Sequence, residues 1–338
     1  MTRRLGASCL LALAGALAAG RAAAEPARKF VLAAPEGSPW TDQAIAYAGT
    51  IARRTSGRVR MRVVPGGVAG DEVDTARACA RGQLFAWGGS AGAFGRVIPE
   101  LDALELPFLF DSEAEVDAIL AGPPKDLLRR AFGRAGLTLA PVLSEVGWRS
   151  FAGRKPLRTV ADFRGLRARS QESPIHLEMW RTLGARPHAI SVLQTLSALQ
   201  AGLVEAFDQS PVYMFATSWY QQGRVYSLSR HMYQPGIAVL CKGALESLPA
   251  GDRRLVVELM GEAARSMIPK VRAVEKQVLD QLGREAMQVV ELAPAERAAL
   301  RERTRPVAQA FRAGASPLGR ELLEALERAI EARRKAGR

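Results

Sequence analysis

"KFVLAAPEGSPWTDQAIAYAGTIARRTSGRVRMRVVP", residues 29–65, alternates the two hydrophobic periods that separate strands from helices. Its first seven residues are an apolar run closed by Pro35, the pattern of a buried strand, and "PEGSPW" is a turn. From Thr41, a candidate N-cap, apolar side chains recur at helical spacing until Gly57 closes the run. Residues 58–65 then alternate basic and apolar side chains, a half-buried strand. "DEVDTARACARGQL" (71–84) follows as a second helix, with its acids in the first turn where the helix dipole favours them. Strand and helix in alternation predict an α/β architecture, a sheet covered by helices.

The same grammar continues. "LFAWGGSAGAFG" (84–95) is glycine-rich but lacks the Lys-Ser/Thr ending of a phosphate loop and the spacing of a dinucleotide fingerprint. It reads either as a tight strand-end loop or as a cleft loop whose backbone approaches a ligand. "GLTLAPVLSEVGWRSFAG" (136–153) and "HMYQPGIAVLCKG" (231–243) are extended stretches that carry the chain out of a first lobe and back. Between them lie a strand in "LRTVADFRGLRARS" (157–170), a helix ended by Gly184, a second helix before "LVEAF", and a third over 212–223. Residues 249–287 hold helical spacing almost unbroken across Pro269, one long helix. Lobe I is expected over 25–148 plus about 237–280, lobe II over 149–236 plus about 281–330, and 331–338 as a frayed basic tail. Two lobes joined by several crossings imply a hinge, with an interdomain cleft as the favoured ligand site.

Residues 1–24 bring two arginines, an apolar run from Leu5 to Ala19, and small residues before Glu25, the order of a cleaved signal peptide. The run is shorter than the roughly 20 residues a permanent membrane helix needs. The chain is therefore expected to be exported to the periplasm. Of three cysteines, Cys9 leaves with the signal; Cys79 and Cys241 allow one disulfide, and two separate buried thiols is the reading adopted here. Net charge is +13, or +10 once Arg3, Arg4 and Arg21 are removed. The basic residues are interleaved with acids and aromatics make up only 6% of the chain, so no stacking basic stripe exists and no nucleic-acid partner is expected.

Catalytic signatures are absent from the sequence. His176, His188 and His231 sit in no cluster of metal-ligand spacing, no Gly-x-Ser-x-Gly elbow occurs, and Glu100, Asp102 and Glu105 read as a solvated acidic turn. No catalytic residue, metal or cofactor is assigned, and a binding protein rather than an enzyme is expected.

Several stretches, in order, then resemble one family: the extracytoplasmic solute-binding proteins of tripartite ATP-independent periplasmic (TRAP) transporters, of the dicarboxylate-binding DctP type. "RRTSGRVRMRVVPGGVAGDEVDTARACARGQL" is similar to its helix, strand, Pro-Gly-Gly and helix, and "IPELDALELPFLF" to its Pro-Glu-Leu and Leu-Pro-Phe-Leu-Phe segment. "RKPLRTVADFRGLRARS" resembles its Gly-Leu-x-x-Arg signature, and "LGARPHAISVLQTLSALQAGLVEAFDQSP" its Ala-Leu-Gln-x-Gly stretch.

That resemblance implies a two-lobed periplasmic-binding-protein fold with a long C-terminal helix. Its lobes would close on a carboxylate solute and deliver it to a TRAP permease of small and large integral membrane subunits. The arginine ending the signature is Arg169, whose planar guanidinium suits one carboxylate with two parallel hydrogen bonds; Arg164 and Arg167 then face solvent. The alternative for Arg169 is a structural ion pair with Glu172 or Asp208. Arg149 resembles a second family arginine reaching the cleft. Where many members carry Val-Asp-Gly and then Asn, this chain has Val204, Glu205, Ala206 and then Gln209, whose amide is carried over as a solute contact. Ser90 is placed at the glycine-rich loop, and Trp40, Trp219, Trp148, Tyr213 and Tyr220 are candidates for an apolar wall or for plain core. Competing functions are a receptor of similar shape for an ABC transporter or sensor, and an exported enzyme on the same lobes.

Overall fold

The structure is a computed structural model that describes residues 28–139 and 143–336; the expected signal peptide lies outside the described residues. The first part of the chain runs β1 (Arg28–Leu32), α1 (Pro39–Arg54), β2 (Met61–Val64), α2 (Glu72–Ala80), β3 (Ala86–Ser90) and the short α3 (Ala91–Phe94). A 3-10 helix over Pro99–Glu105 leads to α4 (Glu113–Ala121), α5 (Pro124–Arg134) and β4 (Thr138–Leu139). Then come β5 (Ser144–Gly153), β6 (Arg167–Ser170), α6 (Pro174–Leu183), β7 (Arg186–Ala189), α7 (Val192–Gln200), β8 (Ala206–Gln209) and α8 (Pro211–Ala216). The chain closes with β9 (Val225–Leu240), α9 (Ala250–Glu285), β10 (Gln288–Glu291), α10 (Pro294–Gly314) and α11 (Pro317–Ala336).

All the strands join one sheet in the order β2-β1-β3-β9-β5-β8-β6-β7, with β4 and β10 pairing β9. The parallel group β2-β1-β3 forms one lobe and the parallel group β8-β6-β7 the other. Only β5 and β9 run through both. β9 pairs β3 at its far end (Ala86 with Leu240) and β5 along the rest (Gly153 with Val225). The two expected extended crossings are these strands. Their ladder shifts register between Glu145 and Gly147 and again between Arg149 and Phe151, so the connection carries bulges, which bend a strand and re-aim its side chains.

Local chemistry explains the main ends. Helix α1 is capped by Ser38, whose hydroxyl accepts from the Thr41 N–H, rather than by Thr41 itself; Pro39 at the first helical position starts the helix three residues early. Gly184 takes a left-handed φ of +98° to end α6, as its position after the last apolar residue required. Helix α9 is 36 residues long with Pro269 inside it, and it packs on α1 in one lobe and on α8 in the other. The third helix expected over 212–223 is cut short: α8 ends at Ala216, Ser218 is left-handed, and only a 3-10 turn at Trp219–Gln221 follows.

Three expectations fail on burial or pairing. Cys79 and Cys241 form a disulfide, with Cα atoms 4.7 Å apart, because α2 ends beside the end of β9. The tail is helical as far as Ala336, since Arg334 reaches back to Glu115 at 2.7 Å and Asp111 at 2.8 Å. Helix α11 packs on α4, α5 and the 99–105 helix, all in the segment expected as lobe I, whereas α10 packs on α6.

Candidate functional site

A cavity opens between the lobes, and its wall is segregated. Phe30 and Leu32 of β1, Ala44 and Tyr47 of α1, and Met260 and Ala264 of α9 contribute side chains from one packed apolar cluster. The polar wall residues come from both lobes: Gln43, Glu72 and Ser90 from the first, Gln171, Gln209 and Tyr213 from the second, and Ser144 and Gln234 from the crossing strands β5 and β9. Elsewhere the two lobes are in contact: a Cβ on Gly67, itself at φ +73°, would meet the Leu193 side chain at 2.5 Å.

Most of these polar residues form one continuous relay. Glu72 accepts from the Ser90 backbone N–H at 2.7 Å and from its hydroxyl at 3.1 Å. Gln171 Nε2 donates to Ser90 Oγ at 2.9 Å, and Gln234 Nε2 donates to Gln171 Oε1 at 2.9 Å. Arg149 then clamps the far side, giving Nη1–H bonds to Gln234 Oε1 at 2.9 Å and Gln209 Oε1 at 3.0 Å. The relay therefore runs from the first lobe to the second through both crossing strands, and each link fixes the amide orientation of the next.

Arg149 does not line the cavity. It is fully buried on the bulged part of β5, with Nε 2.6 Å from Asp208 Oδ2 and Nη2 2.6 Å from the Asp208 carbonyl. Burial alone would raise the Asp208 carboxyl, but the adjacent Arg149 guanidinium and the nearby His231 ring hold it well below the usual range. Arg169, also buried, is not on the cavity wall either. Its Nε donates to the Ile190 carbonyl at 2.9 Å and its guanidinium lies 4.9 Å from the Trp219 ring centroid. Nη1 has no hydrogen-bond partner among the described residues, and neither expected ion pair forms. Burial, followed by the nearby Arg149, lowers the Arg169 pKa to about 10. Arg164 and Arg167 are exposed.

Of the aromatic candidates, Trp40 and Tyr213 line the cavity, their rings 5.4 Å apart, with Trp40 Nε1 donating to the Glu145 carbonyl. Trp219 sits behind Tyr213, packed edge-on against it, while Trp148 and Tyr220 pack on Tyr233 and Phe215. Gln209 Oε1 also accepts from the Ser210 N–H, and its Nε2 has no acceptor among the described residues. The Tyr213 hydroxyl is likewise without a partner, and burial pushes its pKa up, so it is present as a donor.

The expected acidic turn is corrected. Asp102 and Glu105 are buried, because Glu105 accepts from the Gly92 N–H and lies 2.6 Å from His176 Nε2 of the other lobe, while Asp102 pairs with Arg96 at 3.0 Å. Ser229, His231 and Asp208 stand in line, Ser229 Oγ 2.8 Å from His231 Nδ1 and His231 Nε2 3.5 Å from Asp208 Oδ2. All three are fully buried and none borders the cavity. Among the described residues no group of three or more His, Cys, Asp or Glu is placed to hold a metal ion.

Glu72 gives the site a pH signature. Burial raises its pKa from the ordinary 4.5 to about 7, with the Ser90 hydrogen bonds opposing the rise. Because the folded pKa is the higher one, the folded chain binds the extra proton between those values. Stability is expected to fall as pH rises from about 4.5 to 7 and to stay lower above that. The shift corresponds to about 3 kcal/mol. Thermal unfolding of Glu72→Gln is expected to show a gain over the parent at pH 8 that vanishes near pH 4.5; equal melting temperatures at pH 8 would sink the assignment.

Sequence reasoning missed Gln171 and Gln234. Gln171 was within reach, two residues after Arg169 and so on the same side of an extended chain. Gln234 carried no signal, since its role depends on where β9 crosses.

The comparisons with known proteins agree with this architecture. The model of the family described as bacterial extracellular solute-binding protein, family 7 (DctP), matches residues 30–314. A solute-binding protein of Verminephrobacter eiseniae is 26% identical over 221 residues, and the match spans 65% of each chain. Among solved structures, a TRAP periplasmic solute binding protein from Ralstonia eutropha H16 with bound (S)-2-acetolactate is 25% identical, with a TM-score of 0.85 over 91% of this chain and 99% of that one. Another, from Sulfitobacter sp. NAS-14.1 with bound β-D-galacturonate, shares the fold at a TM-score of 0.84 and 21% identity, over 88% of this chain and 98% of that one. With a family match that runs from β1 to the end of α10 over a two-lobed sheet crossed by β5 and β9, this chain belongs to the bacterial extracellular solute-binding proteins of family 7.

Proposed function

We propose that the chain is a periplasmic receptor, exported by a cleaved signal peptide, that captures a small organic acid between its lobes and delivers it to a TRAP permease made of a small and a large integral membrane subunit. The observation that carries the acid is the unpartnered Nη1 of buried Arg169. A buried guanidinium N–H without an acceptor is costly, and a carboxylate supplies the missing acceptor with a charge-assisted bond. Tyr213 Oη and Gln209 Nε2 add two neutral donors on the cavity wall. Arg169 stands one aromatic layer from the cavity, its guanidinium over the Trp219 ring that packs edge-on against Tyr213, so a solute held by it must reach it past Tyr213. Arg149 acts as a positioning residue, holding Gln209 and Gln234 rather than the solute. The disulfide fits an oxidising compartment. Closure follows from the solute's contacts with both lobes, and the bulged crossing strands are the hinge.

Thermal unfolding screened against mono- and dicarboxylates, 2-oxo acids, sugar acids and their neutral analogues tests this reading. A solute at a hundred times its Kd is expected to add about 2.7 kcal/mol to the parent. Arg169→Ala is expected to lose that gain, and Arg169→Lys most of it, because an ammonium does not reproduce the fork. An acid that stabilises Arg169→Ala as well as the parent removes the arginine from the site. Stabilisation by neutral analogues alone rejects the acid.

A further inference from the structure

We infer that the solute is an acid with an apolar body, an alkyl or aryl carboxylate rather than a polyhydroxylated sugar acid; the inference rests on the receptor reading above and narrows it. The wall opposite the relay is hydrocarbon: Phe30, Leu32, Tyr47, Met260, Ala264 and Met267, drawn from β1, α1 and α9. Small side chains at Ala44 and Ala264 on the facing helices α1 and α9 keep that end open. No Lys, Arg or His is among the wall residues.

The polar wall has little left to offer a second polar group. Gln171 uses Oε1 on Gln234 and Nε2 on Ser90, and Gln234 uses Nε2 on Gln171 and Oε1 on Arg149. Both Glu72 oxygens accept from Ser90. Gln43 is held by Ser266 and Lys270. The wall donors without a hydrogen-bond partner among the described residues are Gln209 Nε2, Tyr213 Oη and the Ser144 hydroxyl, and Arg169 Nη1 lies beyond the wall. Gln209, Tyr213 and Arg169 suit the oxygens of one carboxylate, which leaves the Ser144 hydroxyl for at most one further polar group. The remaining hydroxyls of a hexuronate would be left against methyl, methylene and ring surfaces, and each buried hydroxyl without a partner weakens binding. An apolar body instead gains from leaving water. This sets the cavity apart from what the Sulfitobacter neighbour holds, a galacturonate.

Isothermal titration of the whole mature chain with butanoate, hexanoate, octanoate, phenylacetate, glucuronate, galacturonate and hexanamide tests the inference. Affinity is expected to rise about fourfold per methylene from butanoate until the cavity is filled. Hexuronates are expected to bind at least a hundredfold more weakly than the best apolar acid. Ala264→Phe, which fills the apolar end, is expected to flatten the chain-length dependence while butanoate binding persists. Met260→Ala, which enlarges that end, is expected to move the optimum to a longer chain and serves if Ala264→Phe does not fold. A hexuronate that binds more tightly than every apolar acid, or a chain-length series unchanged in both variants, overturns the apolar body and leaves the receptor for acids standing. Hexanamide binding as tightly as hexanoate overturns the receptor for acids itself.

Discussion

Replacing Arg149 with alanine is expected to lower the melting temperature by roughly 10 °C, although this residue touches neither solvent nor the cavity. The substitution leaves Asp208 buried without its countercharge, and breaking a buried ion pair from one side costs about 3–5 kcal/mol. In a chain of this size each kcal/mol moves the midpoint by about 2–4 °C. The remaining partners cannot take over: Trp180 Nε1 reaches Asp208 Oδ1 at 3.2 Å, and burial lowers the pKa of His231, so that imidazole stays neutral above acidic pH. The double variant Arg149→Met with Asp208→Asn removes both charges and is expected to recover more than half of the loss. If the two changes simply add, the ion pair is not the reason for the loss. Solute affinity is expected to fall in the single variant as well, because Gln209 and Gln234 lose the guanidinium that orients them.

The contrast between Arg149 and Arg169 marks where sequence reading stops. Both were singled out by the family resemblance, Arg169 as the end of its Gly-Leu-x-x-Arg signature and Arg149 in "GWRSF" as a second family arginine. Which one is neutralised by the protein depends on Asp208, 59 residues from Arg149, and on the bulge that turns Arg149 toward it. Strand and helix order was readable because periodicity and caps are local: α1, α2, α6 and α9 fall where the apolar spacing puts them. Glu105 misled for the opposite reason. An acid in "PELDALE" has the local pattern of a solvated turn, and its burial is decided by Gly92, His176 and Gln234, which only the tertiary fold brings to it. Gln171 and Gln234 belong to the same class, polar residues whose partners lie across the cleft. The apolar end of the cavity was hidden too, since Phe30, Tyr47 and Met260 satisfy a core pattern whether or not the core leaves room between them.

Cutting the Cys79–Cys241 bond, by reduction or by the double alanine variant, is expected to lower the melting temperature by roughly 10 °C while leaving solute affinity within about twofold. The bond closes a loop with a sequence separation of 162. In the chain-entropy picture a loop of that length restricts the unfolded state by about 5 kcal/mol, and measured effects often fall below that figure. The bond itself lies within one lobe. Cys79 ends α2, Cys241 follows β9, and the intervening chain includes the whole β8-β6-β7 lobe, so the bond ties the outgoing and returning segments of the β2-β1-β3 lobe across an inserted domain. Backbone hydrogen bonds from Cys241 to Phe85 and from Lys242 to Cys79 hold the same seam in the folded state and survive reduction, so the loss acts mainly through the unfolded chain. Neither cysteine borders the cavity, which is why affinity is expected to hold. Calorimetry with and without reductant, beside a thiol titration of the denatured chain lacking residues 1–24, decides the matter. Two titratable thiols before reduction would mean the bond does not form, and an unchanged melting temperature after reduction would mean the seam is held by its backbone ladder alone.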